Sequence, residues 1–121
     1  MSKRILLVED QPDNRQIIRD LLAATDYELT EAENGELALA AVAKQRPDLI
    51  LMDIQLPVMD GYETTRRIKA DPASRSIPII AVTSYALSGE ETKARAAGCD
   101  GYVTKPYSPR LLLAKIREFL P

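Results

Sequence analysis

Histidine is absent from this chain of 121 residues, and cysteine appears once, as Cys99. One cysteine closes no internal disulfide, and without histidine or a pair of thiols any metal site has to be built from oxygen atoms. Long apolar runs are missing too. Stretches such as Ile79 to Val82 and Leu111 to Ala114 fall far short of the roughly 20 residues that cross a bilayer. The start, Met1-Ser2-Lys3-Arg4, leads straight into a short apolar stretch with no cleavage signal, so a cytoplasmic location is expected. Nor is there an excess of positive charge. The formal net charge is −2, and the cations (among them Arg4, Arg15, Lys44, Arg66, Arg67, Lys93, Arg95 and Lys115) are scattered along the chain, which argues against a nucleic-acid or membrane partner. No Pro/Gly/Ser linker, repeat or low-complexity segment divides the sequence. The expectation is a single domain over residues 1–121 with no output domain attached.

What is present is the balance of a globular protein, 45% apolar and 28% charged, enough to close a core. Apolar runs of strand length lie at Ile5 to Val8, Leu49 to Met52, Ile77 to Val82 and Tyr102 to Val103, with a weaker, alternating run at Tyr27 to Ala32. Runs apolar on both faces predict strands covered on both sides, as in a parallel sheet. Helical spacing fills the gaps. Ile17, Ile18, Leu21 and Leu22 repeat after the first strand, and Leu37, Ala38, Ala41 and Val42 after the second, until Pro47 stops that helix. Asp60-Gly61 opens a third helix carrying Tyr62, Thr65 and Ile68, and Asp71-Pro72 closes it. A polar fourth helix over about Leu87 to Ala97 ends at Gly98. Ser108-Pro109 supplies an N-cap and a first-turn proline for a last helix whose Leu112, Ile116 and Phe119 share a face. Strand and helix alternate throughout, and right-handed crossovers turn such a chain into a doubly wound α/β domain: a parallel sheet of five strands with five helices on its two faces.

In an open sheet of this kind the site lies beyond the carboxyl ends of the strands. The first strand ends in Glu9-Asp10, the third in Asp53, the fourth in Thr83-Ser84 and the fifth in Thr104-Lys105-Pro106. Taken singly, each has a plain explanation: an acid that caps a loop, a turn before Pro12, a β-branched strand residue, a surface lysine. Their joint placement at the ends of separate strands is what chance rarely produces. Three carboxylates brought together repel one another and need compensation. Glu9, Asp10 and Asp53 count −3 and Lys105 +1, leaving −2, which one divalent ion neutralises. Oxygen donors with room for water suit Mg²⁺ better than Ca²⁺. A metal, a lysine and a free carboxylate oxygen form equipment for phosphoryl transfer, and a carboxylate can itself be the nucleophile.

The segments Ile5-Leu6-Leu7-Val8-Glu9-Asp10, Asp48 to Gly61 (reading DLILMDIQLPVMDG), Ile77-Pro78-Ile79-Ile80-Ala81-Val82-Thr83 and Tyr102-Val103-Thr104-Lys105-Pro106 together resemble the receiver domains of two-component response regulators. The likeness runs from about residue 3 to residue 120. It is strongest to stand-alone receivers, and receivers within hybrid kinases read similarly. The resemblance implies a flavodoxin-like strand order 2-1-3-4-5, with Asp53 as phosphoacceptor, Asp10 as a direct Mg²⁺ ligand and Glu9 as an acidic partner acting mainly through water. It further implies the Gln55 backbone carbonyl as a third protein ligand, Thr83 and Lys105 as contacts of the phosphoryl group, Tyr102 as an aromatic that follows Thr83, and a cis Lys105–Pro106 bond. Gln55 and Tyr85 are expected to tune the lifetime of the phosphoryl group. Ser84 and Tyr107 depart conservatively from the commonest family pattern, and Ser84 is expected to affect access to the phosphoryl group.

The implied partners are a histidine kinase or histidine phosphotransferase upstream. Downstream, the implied partner is a protein read through the fourth helix, fifth strand and fifth helix, including Leu87 to Arg95 and Tyr102. The polar, weakly anchored start of the fourth helix at Ser88, Gly89 and Glu90 is expected to shift at low cost. The domain is thus expected to be a phosphoacceptor rather than an enzyme. A haloacid-dehalogenase-type phosphatase would need a second acid where Gln55 stands. A nucleotide site would need glycines absent from Glu9-Asp10-Gln11-Pro12-Asp13-Asn14. A phosphate-independent binding domain on this scaffold has no use for Asp10, Asp53, Thr83 and Lys105 together.

Overall fold

A computed structural model describes residues 2–84 and 89–121. The elements alternate as β1 (Arg4–Val8), α1 (Pro12–Ala23), β2 (Glu28–Ala32), α2 (Gly35–Lys44), β3 (Leu49–Asp53), α3 (Gly61–Ala70), β4 (Ile79–Thr83), α4 (Glu90–Ala97), β5 (Gly101–Thr104) and α5 (Pro109–Phe119). All the strands pair in parallel, in the order β2-β1-β3-β4-β5. The order reverses between β1 and β3, and the crevice beyond their carboxyl ends is where a ligand site falls in such sheets.

The two faces of the sheet bury two separate cores, and the strand period of two decides which residue goes where. Leu6, Val8, Ile50, Met52, Ile79 and Ala81 face α2, α3 and α4, meeting Ala38, Ile68 and Ala94. Ile5, Leu7, Leu49, Leu51, Ile80 and Val103 face α1 and α5, meeting Ile18, Leu22, Leu112 and Ile116. Every residue of β3 and β4 is buried, which is why both read as unbroken apolar runs. The edge strand β2 exposes three of its five residues and buries only Ala32.

Side chains cap α2, α3 and α5 at their starts. Asn34 Oδ1 accepts from Leu37 N–H (2.8 Å), Asp60 Oδ1 from Glu63 N–H (2.9 Å) and Ser108 Oγ from Leu111 N–H (2.9 Å). Gly98, with φ +112°, ends α4 in the left-handed conformation that glycine adopts without strain.

Some expectations shift in detail. Ile77 is fully buried, but it lies in the loop before β4 rather than in the strand, because Pro78 leaves the ladder no N–H there. Ile17 and Leu37, part of the apolar repeats of α1 and α2, stand half exposed; the buried stripes are narrower than the repeats. The described part of the fourth helix begins at Glu90, and Leu87 and Ser88 lie outside the described residues. That helix buries only Ala94 and Ala97. Its first turn is nonetheless tied down, since the Tyr62 hydroxyl on α3 donates to Glu90 Oε2 at 2.5 Å, a contact the polar sequence of α4 did not announce. Burial, and then the Glu90 carboxylate, push the Tyr62 phenol well above its usual range, so it stays a donor.

Candidate functional site

The sheet ladder continues past the strand ends and sets each site residue in place. Glu9 N–H donates to Ala32 O (3.0 Å), Ile54 N–H, next after Asp53, to Val82 O (3.1 Å), and Lys105 N–H to Thr83 O (2.7 Å). α3 comes in close beside Asp53. A Cβ on Gly61 would lie 2.4 Å from the Asp53 carbonyl oxygen and 2.7 Å from Ile54 Cα, so only glycine permits this approach. The loop between is taut: Val58 has φ +68°, with Met59 N–H closing a three-residue turn onto Pro57 O at 2.7 Å, a strained conformation for a β-branched residue.

Glu9, Asp10 and Asp53 offer carboxylate oxygens that all lie within 4.8 Å of one another. Glu9 and Asp53 are buried, at 3% and 4% exposure, while Asp10 is half-buried at the rim. Lys105 Nζ reaches in from the end of β5, 3.0 Å from Glu9 Oε1 and 3.6 Å from Asp53 Oδ2. Asp53 Oδ1 accepts the Gln55 N–H at 3.2 Å. The Lys105–Pro106 bond is cis.

Burial, and then the Glu9 charge, push the Asp53 carboxyl up to about 7, against the pull of Lys105. Burial acts to raise Glu9 as well, but the Gln11 N–H (3.1 Å from Oε2) and Lys105 outweigh it and hold Glu9 below the usual carboxylate range. One lysine therefore serves two buried acids and satisfies Glu9 better, leaving Asp53 short of positive charge. Nearby, burial, and then Glu9 and Asp53, push the Tyr107 phenol up to about 12.

Thr83, fully buried at the end of β4, accepts from Gln55 Nε2 at 2.6 Å. Gln55 Oε1 in turn accepts the Ser84 N–H at 3.1 Å, which fixes the orientation of the amide. The side chain of Gln55 thus bridges the β3 and β4 loops. This role was not legible in a residue singled out for its carbonyl and for tuning. Tyr85 lies outside the described residues. Tyr102 is partly buried against the core that α4 helps to cover; burial, and then Glu90 and Glu91, raise its phenol.

Sequence reasoning also passed over Arg15. Its Nη1 donates to the carbonyls of Glu9 (3.1 Å) and Asp10 (3.2 Å), and its Nε lies 3.4 Å from Glu31 Oε1 on β2. A long side chain that binds backbone oxygens leaves no pattern in sequence.

The response regulator receiver domain model matches residues 5–117. The polar-differentiation response regulator DivK of Brucella anthropi is 43% identical over 120 residues, covering 99% of this chain and 98% of that protein. Its Brucella ovis counterpart is 42% identical over the same coverage. Among solved structures, the receiver domain of a sensor histidine kinase from Pseudomonas aeruginosa, with a magnesium ion coordinated in its active site cleft, superposes with a TM-score of 0.91 at 38% identity, covering 99% of this chain and 98% of that one. A response regulator from Chloroflexus aurantiacus superposes at 0.95 with 28% identity, over 99% and 98%. The chain belongs to the receiver domains of two-component response regulators, a family of phosphoacceptor signalling domains, and it is similar to the DivK proteins over nearly its whole length. None of its described helices is long and apolar enough to cross a membrane.

Proposed function

We propose that Asp53 accepts a phosphoryl group from a histidine kinase or histidine phosphotransferase in a Mg²⁺-dependent reaction, and that the aspartyl phosphate resets the surface formed by α4, β5 and α5. The observation that carries this reading is the meeting of a buried, charge-starved carboxylate with two more acids and one lysine at the ends of three strands.

The donor set fits the metal. It is all oxygen, it carries two negative charges beyond what Lys105 balances, and Asp10 faces outward where waters can complete a shell. Glu9, Asp10 and Asp53 would hold the ion, joined by the Gln55 carbonyl. A bound Mg²⁺ supplies charge neutralisation for the phosphoryl oxygens. In the transfer, an Asp53 carboxylate oxygen bonds to phosphorus while the phosphorus–nitrogen bond of the donor phosphohistidine breaks, and the imidazole departs with the electron pair. Lys105, 3.6 Å from Asp53 Oδ2, is placed to follow the negative charge onto the phosphoryl oxygens.

The product carries about two negative charges and strong acceptor oxygens where one carboxylate stood. Thr83 gains a reason to exchange its bond with Gln55 for one to the phosphoryl group, and Tyr102 on β5, in register with Ala81 two residues before Thr83, then has room to turn inward. The Gln55 bridge to Thr83 and Ser84 supports a part for Gln55 in setting the lifetime. An open groove of about 470 Å³ beside Lys105, lined also by Ile17, Pro106 and Tyr107, supports docking of the donor there. Turnover is confined to the domain's own phosphotransfer and hydrolysis.

The test is intact-mass spectrometry after incubation with acetyl phosphate and MgCl₂. One phosphoryl group is expected on the parent and none on Asp53→Ala. Equal labelling of both would refute the assignment.

A further inference from the structure

We infer that Arg15 is a positioning residue for the divalent-ion site, acting on the backbone of the loop that presents Glu9 and Asp10; the inference rests on the metal reading above. Two consecutive carbonyls, those of Glu9 and Asp10, accept from the same guanidinium nitrogen at 3.1 and 3.2 Å. Fixing both oxygens fixes the peptide planes on either side of Asp10, and with them the direction in which its side chain leaves the backbone. Asp10 needs that help. Its side chain is half-buried, and its one described partner is a 3.3 Å bond from the amide of the exposed Gln11. Glu9, by contrast, is held by Lys105 and by the Gln11 N–H.

A bare guanidinium so close to the site would repel a cation. Glu31 answers this from β2: it pairs with Arg15 Nε at 3.4 Å and takes Arg19 through two contacts of 3.1 and 2.7 Å. The side chain of Arg15 is only 15% exposed and that of Glu31 25%, so this pair is partly shielded from solvent. Glu31 precedes Ala32, whose carbonyl accepts the Glu9 N–H. The guanidinium thus closes a circuit from α1 through β2 back to the acid loop, and groups placed behind metal ligands in this way commonly govern affinity by a factor of about ten or more.

Charge and positioning predict opposite signs, which makes the inference testable. Removing a positive charge beside an acidic site tightens cation binding through space, whereas removing the clamp loosens it. The measurement is MgCl₂ titration followed by amide chemical shifts, on the parent, Arg15→Met, Arg15→Lys, Arg19→Ala and Asp10→Ala. Methionine keeps an unbranched aliphatic stem on α1, is a good helix former and deletes the donors, so the helix is retained. Arg15→Met is expected to raise the Mg²⁺ Kd about tenfold, with the maximal rate of acetyl phosphate labelling recovered at saturating Mg²⁺. Arg15→Lys, which keeps the charge and a shorter donor, is expected to fall between Arg15→Met and the parent. Arg19→Ala removes an equal charge from the same Glu31 without touching a backbone carbonyl of the acid loop, and is expected to change Kd less than about twofold. A Kd for Arg15→Met equal to or below that of the parent overturns the role of Arg15 and leaves the metal reading intact. A parent that titrates no differently from Asp10→Ala overturns both.

Discussion

The two halves of the carboxyl edge of the sheet are built to different standards. At the ends of β1 and β3 the site residues are held by several contacts: ladder bonds fix Glu9 and Ile54, Arg15 grips two carbonyls, Gln55 N–H holds Asp53, and Gly61 lets α3 press against Asp53 and Ile54. Toward α4 the described structure is lighter. The described part of the helix is eight residues long, buries two alanines, and starts from Gly89 at φ +95°, where a Cβ would meet no described residue within 4 Å. On the proposed function, rigid placement serves phosphoryl transfer, where positioning supplies most of the catalysis. On the same reading α4, which buries two alanines and is tied at its first turn by the Tyr62–Glu90 bond, serves the readout, because a modest change in contacts can move it.

A matched pair of substitutions tests this contrast most harshly. Gly61→Ala drives a Cβ into backbone atoms that cannot step aside, whereas Gly89→Ala meets nothing within 4 Å among the described residues and carries the strain of its positive φ. The expected costs are about 3 kcal/mol for Gly61→Ala and about 1 kcal/mol for Gly89→Ala, read by urea denaturation. Equal costs would erase the distinction.

Next in size is a pH effect. The carboxyl of Asp53 sits at about 7 in the folded protein, against 3.8 for an ordinary Asp, so the folded state holds its proton more tightly than the unfolded state. Stability must then fall as pH rises from roughly 4 to 7. Glu9, lowered on folding, contributes with the opposite sign, but that contribution is complete by about pH 5. In EDTA, therefore, the protein is expected to be more stable at pH 5.5 than at pH 7.5 by on the order of 2 kcal/mol. Asp53→Asn is expected to flatten the slope in thermal melts and to raise Tm at pH 7.5. A slope that survives Asp53→Asn shows that some other group carries it.

Mg²⁺ at ten times its Kd is expected to add about 1.4 kcal/mol by linkage, seen as a Tm higher by roughly 5 °C. Asp10→Ala should abolish that rise; an undiminished rise would place the ion elsewhere.

The last effect is one of shape rather than stability. In Thr83→Ala that still accepts phosphate, amide shifts on α4, β5 and the start of α5 should respond much less than in the parent. A full response there would mean that the signal bypasses Thr83 and Tyr102.

How much of this was legible beforehand depends on the range of the interaction. The buried strands β3 and β4 announced themselves because both of their faces are covered, and the caps at Asp60 and Ser108 because they are local. The residues at the strand ends followed from topology alone. What escaped was long-range or side-chain-to-backbone: the grip of Arg15 on two carbonyls, the Gln55 amide spanning to Thr83 and Ser84, and the bond from Tyr62 to Glu90 that steadies a helix whose own sequence promises little. Ile17 and Leu37 misled in the other direction. An apolar side chain at helical spacing signals burial only if the neighbouring layer extends that far, and here it does not.

The edge strand β2 has a further consequence. It presents Glu28 and Glu31 along an exposed rim, with Arg4 and Arg19 paired across them. A free strand edge is an invitation to pair with any extended chain, and charged side chains withdraw it. Strand addition, the mode in which one protein completes the sheet of another, is thereby discouraged on this side. Recognition at that rim must run through side chains, where specificity can be changed one residue at a time.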